Sequence, residues 1–185
     1  YKRQNEYRCG VLKMKKTEIC LHKLPRNVAA NIRELEKDLP LKICDDGVLL
    51  EIEKNNWFAV EKIENSAKIY YTKDCEIYAG VKYLLINGGN FTLKKHIALD
   101  CLSVMVDCSR NAVKNPETVK KLIRLLAVFG YNGLMLYTED TFEVDGEPYF
   151  GYLRGRYTKS EIKEIDAYAL RYGIEPVSYT HLRAH

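Results

Sequence analysis

Between Leu102 and Asp140 two short apolar runs bracket one amphipathic helix pattern, and few folds accommodate that order. The first run, Leu102–Val106, breaks at the polar cluster Asp107-Cys108-Ser109-Arg110-Asn111. Asn115 as cap and Pro116 in the first turn then open a helix that places Val119, Leu122, Ile123, Leu126 and Phe129 on a buried face and closes at Gly130. The second run, Leu134–Tyr137, ends in Thr138-Glu139-Asp140. Strand, helix and strand in this order read as a βα unit joined to the strand of the next. In barrels built from such units the carboxyl ends of the strands face the substrate. Arg110, Glu139 and Asp140 occupy those ends and are the candidate binding residues.

The pattern repeats further on. Thr158-Lys159-Ser160-Glu161 is a capping box that opens a helix with Ile162, Ile165, Ala169 and Tyr172 inward, closed by Gly173. Ile174–Val177 then begins a third strand. An eight-unit barrel needs about 250 residues. The expectation is therefore the first two to three βα units of an incomplete TIM (β/α)8 barrel over 91–177.

Residues 1–90 read as a separate small α/β domain without catalytic residues. Residues 1–24 hold one or two strands, and Pro25 starts a helix with Val28, Ile32, Leu35 and Leu39 on its apolar face, ended by Pro40. Val48–Glu53 and Trp57–Ile63 read as a hairpin turning at Lys54-Asn55-Asn56, with Ala67–Thr72 as a third strand. Asp74 is a candidate cap for a helix carrying Ile77, Val81, Leu84 and Leu85. Gly88–Asn90 marks the boundary, and Phe91–Asp100 is a connector. Trp57, Tyr70, Tyr71, Tyr78 and Tyr83 suit a sugar-stacking platform, but core packing is the commoner fate of such rings.

Composition narrows the class. With 46% hydrophobic and 29% charged residues the chain reads as globular rather than disordered. The net charge of +4, spread among acids, reads as a solvated surface and not a nucleic-acid footprint. No apolar run is long enough to span a membrane. The six cysteines are scattered, with no C-x-x-C pair and no histidine at ligand spacing, so neither a metal site nor a cofactor is expected. Free thiols point to a reducing, cytoplasmic compartment. The chain starts at Tyr1 without a methionine, so the natural start and any signal peptide are expected upstream. Ser178–His185 resembles an adaptor-derived read-through and is set aside as a non-native tail, along with the helical spacing of His181 and His185.

From Leu102 to Glu175 the sequence resembles the opening of the catalytic barrel of glycoside hydrolase family 20, the β-N-acetylhexosaminidases, in particular a bacterial exo-acting branch. The motifs are D-x-S-R after the first strand (Asp107 to Arg110), Tyr131-Asn132 at the start of the second, and the acidic pair Glu139-Asp140 after it. The preceding segment resembles the family's amino-terminal domain in layout only. The resemblance implies that Arg110 binds hydroxyls of the sugar in the −1 subsite, a task suited to a rigid, forked guanidinium. It implies that the acidic pair helps to build the pocket. The match there is looser, because many members carry a longer, histidine-containing strand before the pair. Adjacent residues in an extended segment point opposite ways, so one carboxylate is expected to face the pocket, with Glu139 favoured.

The family's reaction is substrate-assisted and retaining. The sugar's 2-acetamido oxygen attacks the anomeric carbon, a glutamate protonates the leaving oxygen, and the aspartate before it orients the acetamido group. That Asp-Glu pair follows the fourth strand and is expected beyond this sequence, so no catalytic residue is assigned here. The expected partners are glycans ending in N-acetylglucosamine or N-acetylgalactosamine, released from the non-reducing end, and the chain alone is expected to be inactive. Two alternatives are a non-catalytic carbohydrate-binding module and another acetamido-directed barrel glycosidase.

Overall fold

A computed structural model describes residues 16–110 and 112–179. The described residues are mixed α/β and form two sheets. Strand β1 (Thr17–Cys20) leads into helix α1 (Arg26–Glu34), which tightens into a 3-10 turn at Leu35–Lys37 before β2 (Leu41–Ile43). Then come β3 (Val48–Lys54), β4 (Phe58–Ile63), β5 (Ser66–Tyr71), helix α2 (Cys75–Ile86) and β6 (Phe91–Lys95). These six strands form the first sheet in the order β2-β1-β3-β5-β4-β6. The second sheet is β7 (Ser103–Asp107), β8 (Gly133–Tyr137) and β9 (Glu175–Tyr179), all parallel, with helices α3 (Pro116–Phe129) and α4 (Lys159–Arg171) as the crossovers. Parallel neighbours require such crossovers.

Several sequence expectations change. The expected hairpin of β3 with β4 does not form. Instead β4 pairs antiparallel with β5 across the turn at Glu64-Asn65, and β3 lies parallel to the other edge of β5. The two-residue turn, with Glu64 at φ 51°, closes more tightly than Lys54-Asn55-Asn56 and takes the hairpin. Helix α2 holds β5 in place, because Gly80 lets the Ile69 side chain lie against the helix backbone. Phe91–Lys95 is no connector but a strand, paired antiparallel with β4. Asp74 makes no cap; Glu76 folds back instead, accepting from the Thr72 N–H at 2.7 Å and from its hydroxyl. Strand β9 runs two residues into the segment set aside as a tail, pairing Ser178 with Leu136 and Tyr179 with Tyr137. Residues 1–15 and 180–185, with His181 and His185, lie outside the described residues.

Helix α2 lies on the first sheet and packs on α3, while α4 lies on β9 and on α3. The helices thus sit between the two sheets and share one apolar core, with Ile32, Ile69 and Val81 on one side and Ile123, Leu134 and Ile165 on the other. Asn115 accepts from the Thr118 N–H at 2.8 Å and caps α3 as expected, and Thr158 with Glu161 forms the capping box of α4. Phe129, however, is 61% exposed. At about 100° per residue it stands two positions past the buried Ala127, on the far side of the helix.

Polar groups bind the two halves together as well. Arg124, on the buried face of α3, pairs with Asp38 at 2.6 Å and donates to the Tyr168 hydroxyl at 2.8 Å. Gly173 closes α4 at φ 67°, and a Cβ there would stand 2.5 Å from the Cys75 amide nitrogen. Only glycine permits both that backbone and that approach.

Candidate functional site

The parallel register makes Asp107 and Tyr137 neighbours at the carboxyl ends of β7 and β8. Past Asp107 the chain turns, because its carboxylate accepts from the Ser109 N–H at 2.8 Å and from the Ser109 hydroxyl at 2.7 Å. An aspartate that bonds two residues ahead is a turn former. Those hydrogen bonds, then the charge of Arg110, hold the Asp107 carboxyl below the usual aspartate range. Asp107 therefore shapes the strand end, as a cap does, and sets Arg110 at an exposed position just beyond it.

At the end of β8 the geometry departs from expectation. Thr138 to Asp140 is not extended: the Thr141 N–H donates to the Thr138 carbonyl at 2.9 Å, and Glu139 takes φ 48°. The two carboxylates separate because of that turn and not through strand alternation. Glu139 accepts from the Tyr137 hydroxyl at 2.8 Å, whereas Asp140 pairs with Arg154 of the following loop. Glu139 belongs to the strand-end cluster, and Asp140 fastens the loop. A glutamate in the left-handed region costs about 1 kcal/mol or more, and such residues gather at functional sites.

Tyr137 is the hub that sequence reasoning passed over as the last residue of a strand. Its hydroxyl is pushed above the ordinary tyrosine range by the Glu139 hydrogen bond first, then by partial burial and by the charges of Glu139 and Asp107, with Arg110 acting the other way. One phenol thus registers all three charged groups at the strand ends. Sequence carried no signal for this contact, because it depends on the left-handed turn at Glu139 and not on strand alternation. Beneath lie Cys108, Thr138, Thr141 and Tyr157, all buried, with the Cys108 thiol 3.8 Å from the Tyr157 hydroxyl. Burial first, then Cys108, raises the Tyr157 hydroxyl and keeps it neutral. The Thr138 hydroxyl has no hydrogen-bond partner among the described residues.

One cation, two carboxylates and a phenol at adjacent strand ends suit recognition of a polyhydroxylated ligand. Among the described residues no group of three His, Cys, Asp or Glu side chains is placed to hold a metal ion, and no helix is long and apolar enough to cross a membrane. A groove of about 450 Å³ between α1, α3 and α4 is lined by Glu34, Arg124, Tyr168 and Arg171. None of its residues is at the strand ends, so it belongs to the joint between the halves. Of the aromatic residues of the first half, Tyr78 is buried in the core and Tyr71 and Tyr83 pack against it, whereas Trp57 and Tyr70 are half-buried, their rings 4.7 Å apart and the Lys94 ammonium 4.5 Å from the Trp57 ring centre.

No family model matches the sequence, and no curated protein matches it. Solved structures do. A glycoside hydrolase family 20 exo-β-N-acetylglucosaminidase from Vibrio harveyi, in complex with N-acetylglucosamine, superposes with a TM-score of 0.66 at 17% identity, covering 89% of this chain and 32% of that one. A β-N-acetylhexosaminidase from Bacteroides fragilis gives 0.63 at 17% identity, covering 88% and 40%. A Streptomyces plicatus β-hexosaminidase in complex with its product GlcNAc gives 0.61 at 21% identity, covering 89% and 41%. The chain has the fold of family 20 hexosaminidases. It spans about a third to two fifths of the length of the family 20 enzymes it matches. The family 20 likeness takes in nearly all of the chain, so it includes the first sheet, whose sequence resembled the family in layout alone.

Proposed function

We propose that the chain is part of a family 20 exo-β-N-acetylhexosaminidase that removes terminal N-acetylglucosamine or N-acetylgalactosamine from glycans. One observation carries the reading: within a fold shared with such enzymes, a D-x-S-R arginine follows the first strand of a parallel sheet, beside a Tyr137–Glu139 pair at the end of the second. On this reading β7 to β9 are the first three strands of the catalytic barrel, and Arg110 forks hydrogen bonds onto vicinal hydroxyls of the terminal sugar. Tyr137 and Glu139 complete the rim of that subsite. Asp140 acts through Arg154, as a positioning residue.

The reaction on this reading is retaining and substrate-assisted, with the acetamido oxygen as nucleophile and a general acid supplied after a fourth strand. Absence of that acid alone lowers the rate by about 10²- to 10⁴-fold, and three strands do not enclose a sugar or exclude water around it. The 185-residue chain is therefore expected to show no turnover. The free thiols Cys20, Cys44, Cys75, Cys101 and Cys108 suit a reducing, cytoplasmic setting. The test is release of nitrophenol from 4-nitrophenyl N-acetyl-β-glucosaminide. The full-length protein containing this chain should release it and the 185-residue chain should not. A full-length protein that binds N-acetylglucosamine without releasing nitrophenol would make this a binding module instead.

A further inference from the structure

The loop between β8 and α4 is longer than a crossover needs, and it is held at several points. Arg154 pairs with Asp140, and an Arg156 guanidinium N–H donates to the Phe150 carbonyl at 2.7 Å. Gly151, at φ 66°, lies so close to the Asp140 carbonyl that a Cβ would stand 2.1 Å from its oxygen. Phe142 and Phe150 pack edge to face at 5.3 Å, and Tyr157 closes the loop by donating its N–H to the Thr141 carbonyl at 3.0 Å. Gly155 rests against Val113, in the segment that follows Arg110. The loop is thereby fastened at Asp140, just past the end of β8, and lies beside Val113, in the segment after Arg110.

Its outer part is built differently. Tyr149 is 80% and Tyr152 61% exposed, and their rings meet edge to face at 6.0 Å. Both nearby arginines are turned inward, to Asp140 and to the Phe150 carbonyl, so the loop offers aromatic faces and phenol hydroxyls rather than an anion site. An amphipathic ring of this kind suits the C–H face and hydroxyls of a neutral sugar. Fixed anchors keep the entropy cost of using it low.

We propose that Tyr149 and Tyr152 form a stacking surface for the saccharide on the leaving-group side of the bond that is cut, so that the loop selects an oligosaccharide over a small aglycone. The inference rests on the hexosaminidase reading above. It assigns the loop a role in substrate choice that the strand-end residues do not have.

The experiment uses the full-length enzyme with N,N′-diacetylchitobiose and with methyl N-acetyl-β-glucosaminide, whose leaving group is too small to stack. Tyr149→Ala and Tyr152→Ala should each lower kcat/KM for chitobiose by about tenfold and leave the methyl glycoside within about twofold. Tyr149→Phe, which keeps the ring, should restore most of the chitobiose rate. Equal losses on both substrates, or none on either, would overturn the proposal while leaving the hexosaminidase reading intact. A wild-type enzyme that cleaves neither substrate would overturn that reading, and the loop assignment with it.

Discussion

The side-chain amide of Asn31 donates a 2.7 Å hydrogen bond to the main-chain carbonyl of Arg171, 140 residues further along. That carbonyl belongs to the last turn of α4, where the helix has no acceptor-satisfying N–H of its own. Asn31 therefore caps a helix of the second half from within a helix of the first. It also donates to the Tyr78 hydroxyl at 2.8 Å and accepts two guanidinium N–H bonds from Arg171, at 3.0 and 2.7 Å, while remaining 2% exposed.

Asn31→Ala should destabilise the chain by about 2 kcal/mol, because it removes hydrogen bonds at a buried joint, although the Tyr78 hydroxyl still donates to the Arg171 carbonyl at 3.1 Å and Arg171 still pairs with Glu34. Urea unfolding measures this directly. A loss below about 0.5 kcal/mol, the scale of an ordinary surface change, would mean that the two halves do not depend on this contact.

The same joint carries an acid-sensitive group. Burial pushes the Glu34 carboxyl up, but hydrogen bonds from Tyr168 and Arg171 outweigh it and hold the group below its ordinary value near 4.5. A depressed carboxylate adds stability that is present above the unfolded value and disappears as pH falls through the folded one. Wild type should therefore exceed Glu34→Gln in stability near neutrality, with the gap closing below about pH 4.5. Unfolding free energies for both proteins between pH 3 and 7 check it, and a gap that stays constant would contradict the assignment.

Arg110→Ala, made in the full-length protein, should lower kcat/KM on an aryl N-acetylglucosaminide at least about a hundredfold, from the loss of two charge-assisted hydrogen bonds. Its melting temperature should hardly move, since the residue is exposed. A near-normal kcat/KM would remove Arg110 from the subsite.

Glu139→Gly relieves the left-handed backbone at φ 48° and should stabilise the protein by about 1 kcal/mol. It also takes away the acceptor of the Tyr137 hydroxyl, so activity should fall as stability rises. Paired unfolding and kinetic measurements test this. A destabilised variant would show that the Tyr137 contact matters more to the fold than the strain does.

Much of the second half was legible from residue order. The Asn115 and Thr158 caps, the closing glycines and the apolar runs each act within a few residues, and β7, α3, β8 and α4 formed where those signals place them. What eluded the sequence depends on partners far away. The Lys54-Asn55-Asn56 turn looks adequate for a hairpin until β5 competes for the same edge. Asn31, three positions after Val28, falls on the inward side of its helix, but what its amide binds there is set by Arg171, 140 residues away. At the site, Arg110 and Glu139 came from motif position. The Tyr137 contribution and the task of Asp140 arise from a turn whose backbone no propensity predicts for glutamate.

The clasp between Asn31 and Arg171 also carries a consequence for synthesis. A ribosome adding about 5 to 20 residues per second delivers the end of α4 roughly 4 to 15 seconds after Lys95, where the first sheet is complete. Throughout that interval the nascent first sheet has a helical flank whose permanent cover has not been translated, and Tyr78 and Asn31 can bond only to water or to each other. The joint at Asn31 therefore closes only once its distant partner has left the exit tunnel.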